Sequence, residues 1–375
     1  MKIIFTGGGT GGHFYPIVAI AEQLLKIAEK EKLIDIRMYY LAPTPYNKEM
    51  LFRHELSYRH VPAGKIRNYF SVNNFFDFFK TAFGVLKALW TVYTIFPDVV
   101  IGKGGYASFP TLLAAKFLGI PVIIHESDSR PGKVNRWAGK FAKRVALSYP
   151  EADKFFPKGI AAWTGNPIRE EILVPIEHGA SKFLALEDGI PTILVLGGSQ
   201  GARHINETLV DTLKLLLDRY QIIHQTGVKN IDEVTSISGI TLEKNQHKTR
   251  YKPFAYLDTS ALRMSAGVAD LIISRAGSAI FEIAAWGIPS IIIPIPESIS
   301  HDQRDNAFTY ARAGACEVLE ETNLSPHLLA ATIKHIMENP SRKEAMRKAA
   351  LGFAKRDAAV KIALEIIRIV KTHYK

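Results

Sequence analysis

The chain has 375 residues, 47% of them hydrophobic and 22% charged; this balance excludes a disordered chain and allows two domains of ordinary size, each with its own core. A single cysteine, Cys316, excludes an intramolecular disulfide and fits a reducing compartment. The net charge is +11, and almost all of the excess falls in residues 1–160; that half is expected to meet an anionic partner, whether nucleic acid, an anionic membrane surface or a phosphorylated substrate.

The opening residues form an apolar strand that runs into glycines, without the charged leader and cleavage site of a secretory signal. No run approaches the ~18 uninterrupted apolar residues that mark a membrane span. A cytoplasmic protein is the expectation. Residues 3–6 read as a strand, and residues 16–30 as a helix with Ile17, Ile20, Ala21, Leu24 and Ile27 on one face. Further strands are expected at 37–41, 99–101, 122–125 and 144–148. Apolar strands with intervening helices indicate βαβ units and a doubly wound parallel sheet.

The pattern then restarts. A buried-type strand at 192–196 leads into a second glycine loop, Gly197-Gly198-Ser199-Gln200-Gly201-Ala202. Strands recur at 221–225, 271–274 and 290–294, and residues 342–370 have helical spacing. Thr164-Gly165-Asn166-Pro167 is turn-forming and suits a hinge. The expectation is an α/β protein of two Rossmann-like domains, 1–163 and 164–345, facing a central cleft. A helical segment, 346–375, is expected to pack back toward the first domain. Ligands of such sheets bind beyond the carboxyl ends of the strands.

Five segments carry candidate chemistry. Gly7-Gly8-Gly9-Thr10-Gly11-Gly12-His13 follows the first strand, where backbone amides and a helix N-terminus favour an anion. A glycine loop alone also fits a dinucleotide site, but residues 31–45 offer no strand-end acid for a ribose. His13 either serves as a general base or anion ligand, or merely caps the helix. Gly102-Lys103-Gly104-Gly105-Tyr106-Ala107-Ser108-Phe109-Pro110 lacks Walker spacing, and its glycines and one lysine suit a pyrophosphate. In His125-Glu126-Ser127-Asp128 the histidine and carboxylate either do acid–base work or pair with each other. The spacing lacks the second histidine of a zinc helix, and the chain has no Asp-x-Asp pair for a divalent ion. Catalysis without a metal would rely on helix dipoles and cationic side chains to neutralise a leaving group.

In the second half, Ser274-Arg275-Ala276-Gly277-Ser278 opens a helix carrying Glu282. It offers amides, hydroxyls and a guanidinium to phosphates. Glu282 either accepts ribose hydroxyls or is only a favourable acid in the first turns of a helix. His301-Asp302-Gln303-Arg304-Asp305-Asn306 follows a proline-bounded loop, and its amides suit sugar hydroxyls because they both donate and accept.

Taken together, these loops resemble the MurG family, bacterial N-acetylglucosaminyltransferases of the GT-B architecture, over nearly the whole chain. The resemblance rests on Gly8 through His13, on Gly104-Gly105-Tyr106 with Ser108 and Pro110, and on His125-Glu126. Thr164 through Pro167 with Arg169, Gly197 through Ala202 with Asn206, Ser274 through Gly277 with Glu282, and Gln303 with Asn306 complete it. It implies transfer of N-acetylglucosamine (GlcNAc) from UDP-GlcNAc, with inversion, to the C4 hydroxyl of the muramyl sugar of lipid I, giving lipid II for peptidoglycan. No cofactor is implied.

By the same resemblance the second domain holds the donor. Ser199, Ser278 and Arg169 would lie near its diphosphate, Glu282 on the ribose, Gln303 and Asn306 on the sugar, and Phe254 and Ala255 beside the uracil, with Gln200, Arg275 and Gly277 also on the donor. Thr10, Gly11, Gly12 and Asp128 would line the donor cleft, and Gly11, Gly12, Gly104, Gly105 and Tyr106 the acceptor pyrophosphate. His13 is the first candidate for the base and Glu126 the second. Two departures stand out: Ser127-Asp128 replaces the family's Gln-Asn, and Glu282 comes one residue early, without the usual threonine near Ala279 and Ile280.

Lys65, Arg67, Lys80 and Lys87 interleave with Phe75, Phe76, Phe79, Phe83 and Trp90. These aromatics are either helix core or a patch that enters the headgroup region of an anionic inner membrane. With a lipid-linked acceptor, the chain is expected at the cytoplasmic face of the membrane, peripherally bound, with other cell-wall synthesis proteins as candidate partners. Two rival readings remain. A UDP-GlcNAc 2-epimerase or another UDP-sugar transferase would share the architecture. A nucleic-acid-binding protein would explain the charge but none of the glycine loops.

Overall fold

Seven parallel strands, β1 (Lys2–Thr6), β2 (Arg37–Ala42), β3 (Leu56–His60), β4 (Val99–Gly102), β5 (Val122–Glu126), β6 (Arg144–Leu147) and β7 (Ala161–Trp163), form one sheet in the order β3-β2-β1-β4-β5-β6-β7. Six more, β8 (Thr192–Leu196), β9 (Gln221–Gln225), β10 (Tyr251–Phe254), β11 (Ala269–Ser274), β12 (Ser290–Ile292) and β13 (Cys316–Val318), form a second parallel sheet in the order β10-β9-β8-β11-β12-β13. The computed structural model describes residues 1–33, 35–65, 73–197, 202–296 and 301–373. In each sheet the strand order reverses beside the first strand, between β1 and β4 and between β8 and β11. Crevices at the carboxyl ends of parallel strands open at such switch points.

The inner strands form for the expected reason. Residues of β1, β4, β5, β8 and β9 are buried almost without exception, as in sheets covered by helices on both faces. The strands that the sequence pattern misses, β3, β7, β10 and β13, are the four sheet edges. Edge strands stay short and polar, so no apolar run marks them. β10 contains Pro253, which a strand tolerates at an edge.

Contacts divide the chain into two units, residues 1–169 with 355–375, and residues 170–354. The boundaries differ from the expected ones. Residues 164–169 stay with the first unit because Thr164 and Gly165 both donate backbone N–H groups to the Leu147 carbonyl, each at 3.0 Å. The helical stretch expected over 342–370 is two helices, Pro340–Phe353 and Ala358–His373. The former belongs to the second unit, where the Phe353 ring meets Tyr310 at 5.0 Å and Phe281 at 6.0 Å. The latter belongs to the first: Ile362, Ile366 and Ile367 share a buried cluster with Ile17, Ile20 and Leu24 of the helix Gly11–Glu31.

That first helix begins five residues before the expected start, and Pro16 lies inside it. A proline near a helix start removes only one intrahelical bond, and the effect is to place His13 in the first turn. Substitution Ile366→Ala is expected to lower the stability of the first unit by about 2–4 kcal/mol. Urea unfolding should show an earlier transition for that unit and an unchanged one for residues 170–354.

Candidate active site

The first unit gathers its polar residues where the order of its sheet reverses. Gly7 through Thr10 leave β1, and the helix Gly11–Glu31 starts with no acidic residue in its first turn. Its N-terminal amides therefore face outward as an anion-favouring end. His13 Nδ1 lies 3.2 Å from the Gly8 carbonyl oxygen and 3.4 Å from the Thr10 hydroxyl. A carbonyl can only accept, so Nδ1 carries the ring proton and Nε2 keeps the lone pair. Gly105 (φ 74°) abuts the ring, and a Cβ there would lie 3.3 Å from His13 Cε1. Gly104 (φ 88°) is closer still to its neighbour, since a Cβ would lie 2.7 Å from the Asn135 amide. Tyr106 follows in a short 3-10 turn, half-buried beside Gly9.

Glu126 ends β5 and is buried. Its Oε1 accepts from the Asp128 backbone N–H at 2.9 Å, and its Oε2 accepts from Asn135 Nδ2 at 2.9 Å and the Gly132 N–H at 3.2 Å. Asn135 Nδ2 also donates to the His125 carbonyl at 3.1 Å. With three N–H donors upon it, Glu126 organises the 126–135 loop. His125 does not pair with that carboxylate. Its Nε2 faces Ser148 Oγ at 3.2 Å and the Gly165 carbonyl at 3.4 Å, which ties β5 to the Thr164–Asn166 turn.

Lys103, the residue after β4, is 1% exposed, and among the described residues its Nζ has no hydrogen-bond partner. Burial pushes its pKa down to about 8, against the pull of Glu126 and Asp128. Burial and then the Lys103 charge push His13 down to about 4, so its imidazole is neutral at pH 7. Burial and then the Asp128 charge push Glu126 up to about 7, opposed by Lys103 and the Asn135 and Asp128 donors. Asp128 therefore stands in the first unit within electrostatic reach of His13. Arg169 is also placed in this unit, its guanidinium 4.4 Å from the centre of the Tyr15 ring.

In the second unit the residues around β11 and β12 converge, but several serve the loops themselves. Arg275 is engaged through Nη1 with the loops of its own unit. It donates to the Ile293 and Pro294 carbonyls at 3.2 and 3.3 Å and pairs with Glu321. Asn306 is buried, and its Nδ2 donates to the Ala276 carbonyl at 3.2 Å, so it braces the Ser274–Ser278 loop from behind. Gln303 Oε1 accepts from the Ile295 N–H at 3.3 Å. The Phe254 carbonyl already accepts from the Thr226 N–H and hydroxyl, which leaves Ala255 as the backbone to meet a base. Gly277 faces open space, Ser278 precedes the helix Ala279–Trp286 without a side-chain capping bond, and Glu282 is half-buried in its first turn. Ser199 and Gln200 lie outside the described residues, as does Arg67.

The helix Asn73–Ile95 leaves its aromatics outside the core. Phe75, Phe76, Phe78, Phe79, Phe83, Leu86, Trp90 and Tyr93 are all 56–69% exposed, so they are not core. The opposite face buries Ala88 and Val92. Lys65 and Lys80 are exposed nearby in sequence. Among the described residues no helix is long and apolar enough to cross a membrane.

Sequence reasoning noticed Lys103 only as part of a glycine run and missed Asn135. A lysine flanked by glycines at a strand end was the available signal for the first. Nothing in the sequence marked the second, whose partner is nine residues away across a loop.

Comparison with known proteins now adds to this geometry. Residues 3–147 match the glycosyltransferase family 28 N-terminal domain and residues 192–362 its C-terminal domain. The chain is 35% identical over 362 residues to the UDP-N-acetylglucosamine–N-acetylmuramyl-(pentapeptide) pyrophosphoryl-undecaprenol N-acetylglucosamine transferase of Halothermothrix orenii, covering 95% of each. It is similar to the crystal structure of Acinetobacter baumannii MurG, with a TM-score of 0.73 and 25% identity over 98% of this chain and 99% of that one. UDP-GlcNAc 2-epimerase from Neisseria meningitidis shares the fold at a TM-score of 0.70 and 14% identity over 98% and 99% of the two chains.

The Glu126 environment makes a signed prediction. A carboxyl whose folded pKa exceeds its unfolded value holds extra protons in the folded state, so its contribution to stability declines as pH rises between the two values. For Glu126 that window runs from 4.5 to about 7. The stability of Glu126→Gln relative to the parent should improve across that window and level off above it, as followed by denaturant unfolding at a series of pH values.

Proposed function

This chain belongs to the MurG family of N-acetylglucosamine transferases, and from that premise we infer that it moves GlcNAc from UDP-GlcNAc to the C4 hydroxyl of the muramyl sugar of undecaprenyl-pyrophosphoryl-MurNAc-pentapeptide. The product is lipid II, the precursor consumed in peptidoglycan synthesis. Two parallel-sheet α/β domains of the GT-B type carry the reaction.

The observation that carries the mechanism is the His13 imidazole, neutral at pH 7, with Nδ1 directed at the Gly8 carbonyl. Nε2 takes the proton from the acceptor hydroxyl as its oxygen attacks the anomeric carbon, and the bond to the UDP oxygen breaks on the opposite face. One displacement inverts the configuration, and the electron pair leaves with UDP. The acceptor pyrophosphate is assigned to the first unit, at the amides of Gly11 and Gly12 and the Gly104-Gly105-Tyr106 turn. UDP-GlcNAc is assigned to the second unit, at Ala255, Gly277, Ser278 and Glu282, with Ser199, Gln200 and Gln303. There Arg275 and Asn306 hold the loops in place. Thr10, Asp128 and Arg169 border the reacting groups from the first unit.

The exposed aromatic stripe supports a peripheral position on the cytoplasmic face of an anionic membrane. Phe76, Phe79, Phe83, Leu86, Trp90 and Tyr93 recur at alternating spacings of three and four, so they share one face of the helix. A lipid-linked acceptor brings its sugar to that surface, and the basic excess of the first 160 residues favours anionic headgroups.

Transfer of labelled GlcNAc from UDP-GlcNAc to a short-chain lipid I analogue, with EDTA present, tests the reaction and its independence of metal. Release of UDP without transfer would point to another acceptor, and formation of UDP-ManNAc would point to the epimerase reaction. His13→Ala is expected to lower kcat by about 10²–10⁴-fold with little change in KM for UDP-GlcNAc. Replacing Phe83 and Trp90 together with serine should weaken binding to phosphatidylglycerol vesicles by at least roughly tenfold, while transfer to a water-soluble acceptor is retained. Unchanged flotation with vesicles would rule this helix out as the anchor.

A further inference from the structure

The buried polar side chains at the carboxyl end of β9 have no place in the mechanism above. His224 is fully buried, as are Ile222 and Ile223 before it. A leucine would fill its space without leaving a polar group to satisfy. Both ring nitrogens are nevertheless engaged. Nδ1 lies 2.8 Å from the Tyr251 hydroxyl on β10, and Nε2 lies 3.0 Å from Asn206 Oδ1 in the first turns of the helix Arg203–Leu216. The other end of the Asn206 amide sets its orientation, since Nδ2 donates to the Thr226 carbonyl at 2.9 Å. Asn206 Oδ1 can only accept, so His224 Nε2 carries the ring proton and Nδ1 accepts from the Tyr251 hydroxyl. Thr226 continues the relay, its N–H and Oγ1 donating to the Phe254 carbonyl at 2.9 and 3.2 Å.

The donors therefore run in one direction, from Tyr251 through His224, Asn206 and Thr226 to the backbone of Phe254. Two further bonds close around the same loop. Asn230 Nδ2 donates to the Thr226 carbonyl at 3.0 Å, and Gln225 Oε1 accepts from the Leu257 N–H at 3.0 Å. The backbone is thus held at Phe254 and at Leu257, while Ala255 between them is half-buried and Tyr256 is exposed. At the other end of the relay, the Asn206 N–H donates to the carbonyl of Ala202, the last residue of the second glycine loop. Burial pushes the His224 pKa down to about 3, so the neutral ring keeps one donor and one acceptor at neutral pH.

We propose that His224 is a positioning residue for the donor, holding the backbone of residues 254–257 that meets the uracil in register with the helix that follows the glycine loop. The proposal rests on the assignment of UDP-GlcNAc to the second unit. A base read by backbone groups is read only as well as that backbone is held. A fully satisfied buried network specifies one arrangement, whereas removing its central member leaves the Tyr251 hydroxyl and Asn206 Oδ1 without their partner.

The test compares His224→Leu and His224→Gln with the parent. His224→Leu should raise KM for UDP-GlcNAc by about tenfold, with kcat and KM for the lipid I analogue within about twofold of the parent. The preference for UDP over CDP as an inhibitor should fall as well, because the two bases present different donors and acceptors to the backbone. His224→Gln, whose amide both accepts and donates, should recover most of the loss. Hydrogen exchange of residues 251–258 should be slowed by UDP in the parent and should be faster in unliganded His224→Leu.

Lower thermal stability in His224→Leu, with KM for UDP-GlcNAc and the UDP-to-CDP preference unmoved, would overturn the proposal and leave His224 a packing residue. In that case UDP would still protect residues 251–258 in the parent. Absence of that protection in the parent would refute the donor site itself, and the proposal with it. If His224→Leu fails to fold, His224→Asn, polar but too short to span both partners, carries the same comparison.

Discussion

Burial of ionisable groups at the carboxyl ends of β1, β4 and β5 is the constraint around which the first unit is arranged. Lys103 and Glu126 lie where water is excluded, His13 is half-buried beside them, and each shifts in the direction that burial dictates. Such groups persist in a folded protein only when their surroundings offset the loss of hydration. Glu126 is offset by three N–H donors, and those donors come from the loop it thereby shapes. Lys103 has only the field of Glu126 and Asp128. The glycines follow from the same crowding. Gly104 lies against Asn135 and Gly105 against His13, and both have positive φ, so any side chain there would meet both strain and collision.

The second unit obeys a related rule with different residues. Its candidate ligand-binding loops have little regular structure, so their carbonyls need partners other than a ladder. Arg275 and Asn306 provide them, and the side chains that look most suited to phosphate or sugar are the ones that hold the loop backbone. What remains exposed to a ligand is then largely backbone and small side chains at the start of the helix Ala279–Trp286. That arrangement suits a diphosphate, whose charge is met by helix-end amides without a flexible cation.

The helix Asn73–Ile95 shows how one sequence pattern serves two structural ends. Aromatics at spacings of three and four describe either a core face or an exposed one, because periodicity fixes which residues lie together and not what covers them. Here Ala88 and Val92 pack inward, and the close approach of Gly84 to the Pro62 carbonyl seats the helix on that small-residue face. The large rings are left outside.

From the sequence alone came the two parallel sheets, the inner strands, the glycine loops and His13, since buried runs and glycine turns leave a local signature. The edge strands β3, β7, β10 and β13 left none, because a strand with one neighbour needs no continuous apolar run. The start of the first helix was misplaced because Pro16 usually marks a first turn and here lies inside the helix. Local sequence also could not separate residues that face a ligand from residues that brace a loop. Arg275, Asn306 and Glu126 have the side chains of binding or catalytic groups, and their partners, Glu321, Ala276 and Asn135, are supplied only when distant segments meet. Lys103 is the sharpest case. A lysine among glycines reads as a phosphate ligand, and only tertiary packing takes its ammonium out of water.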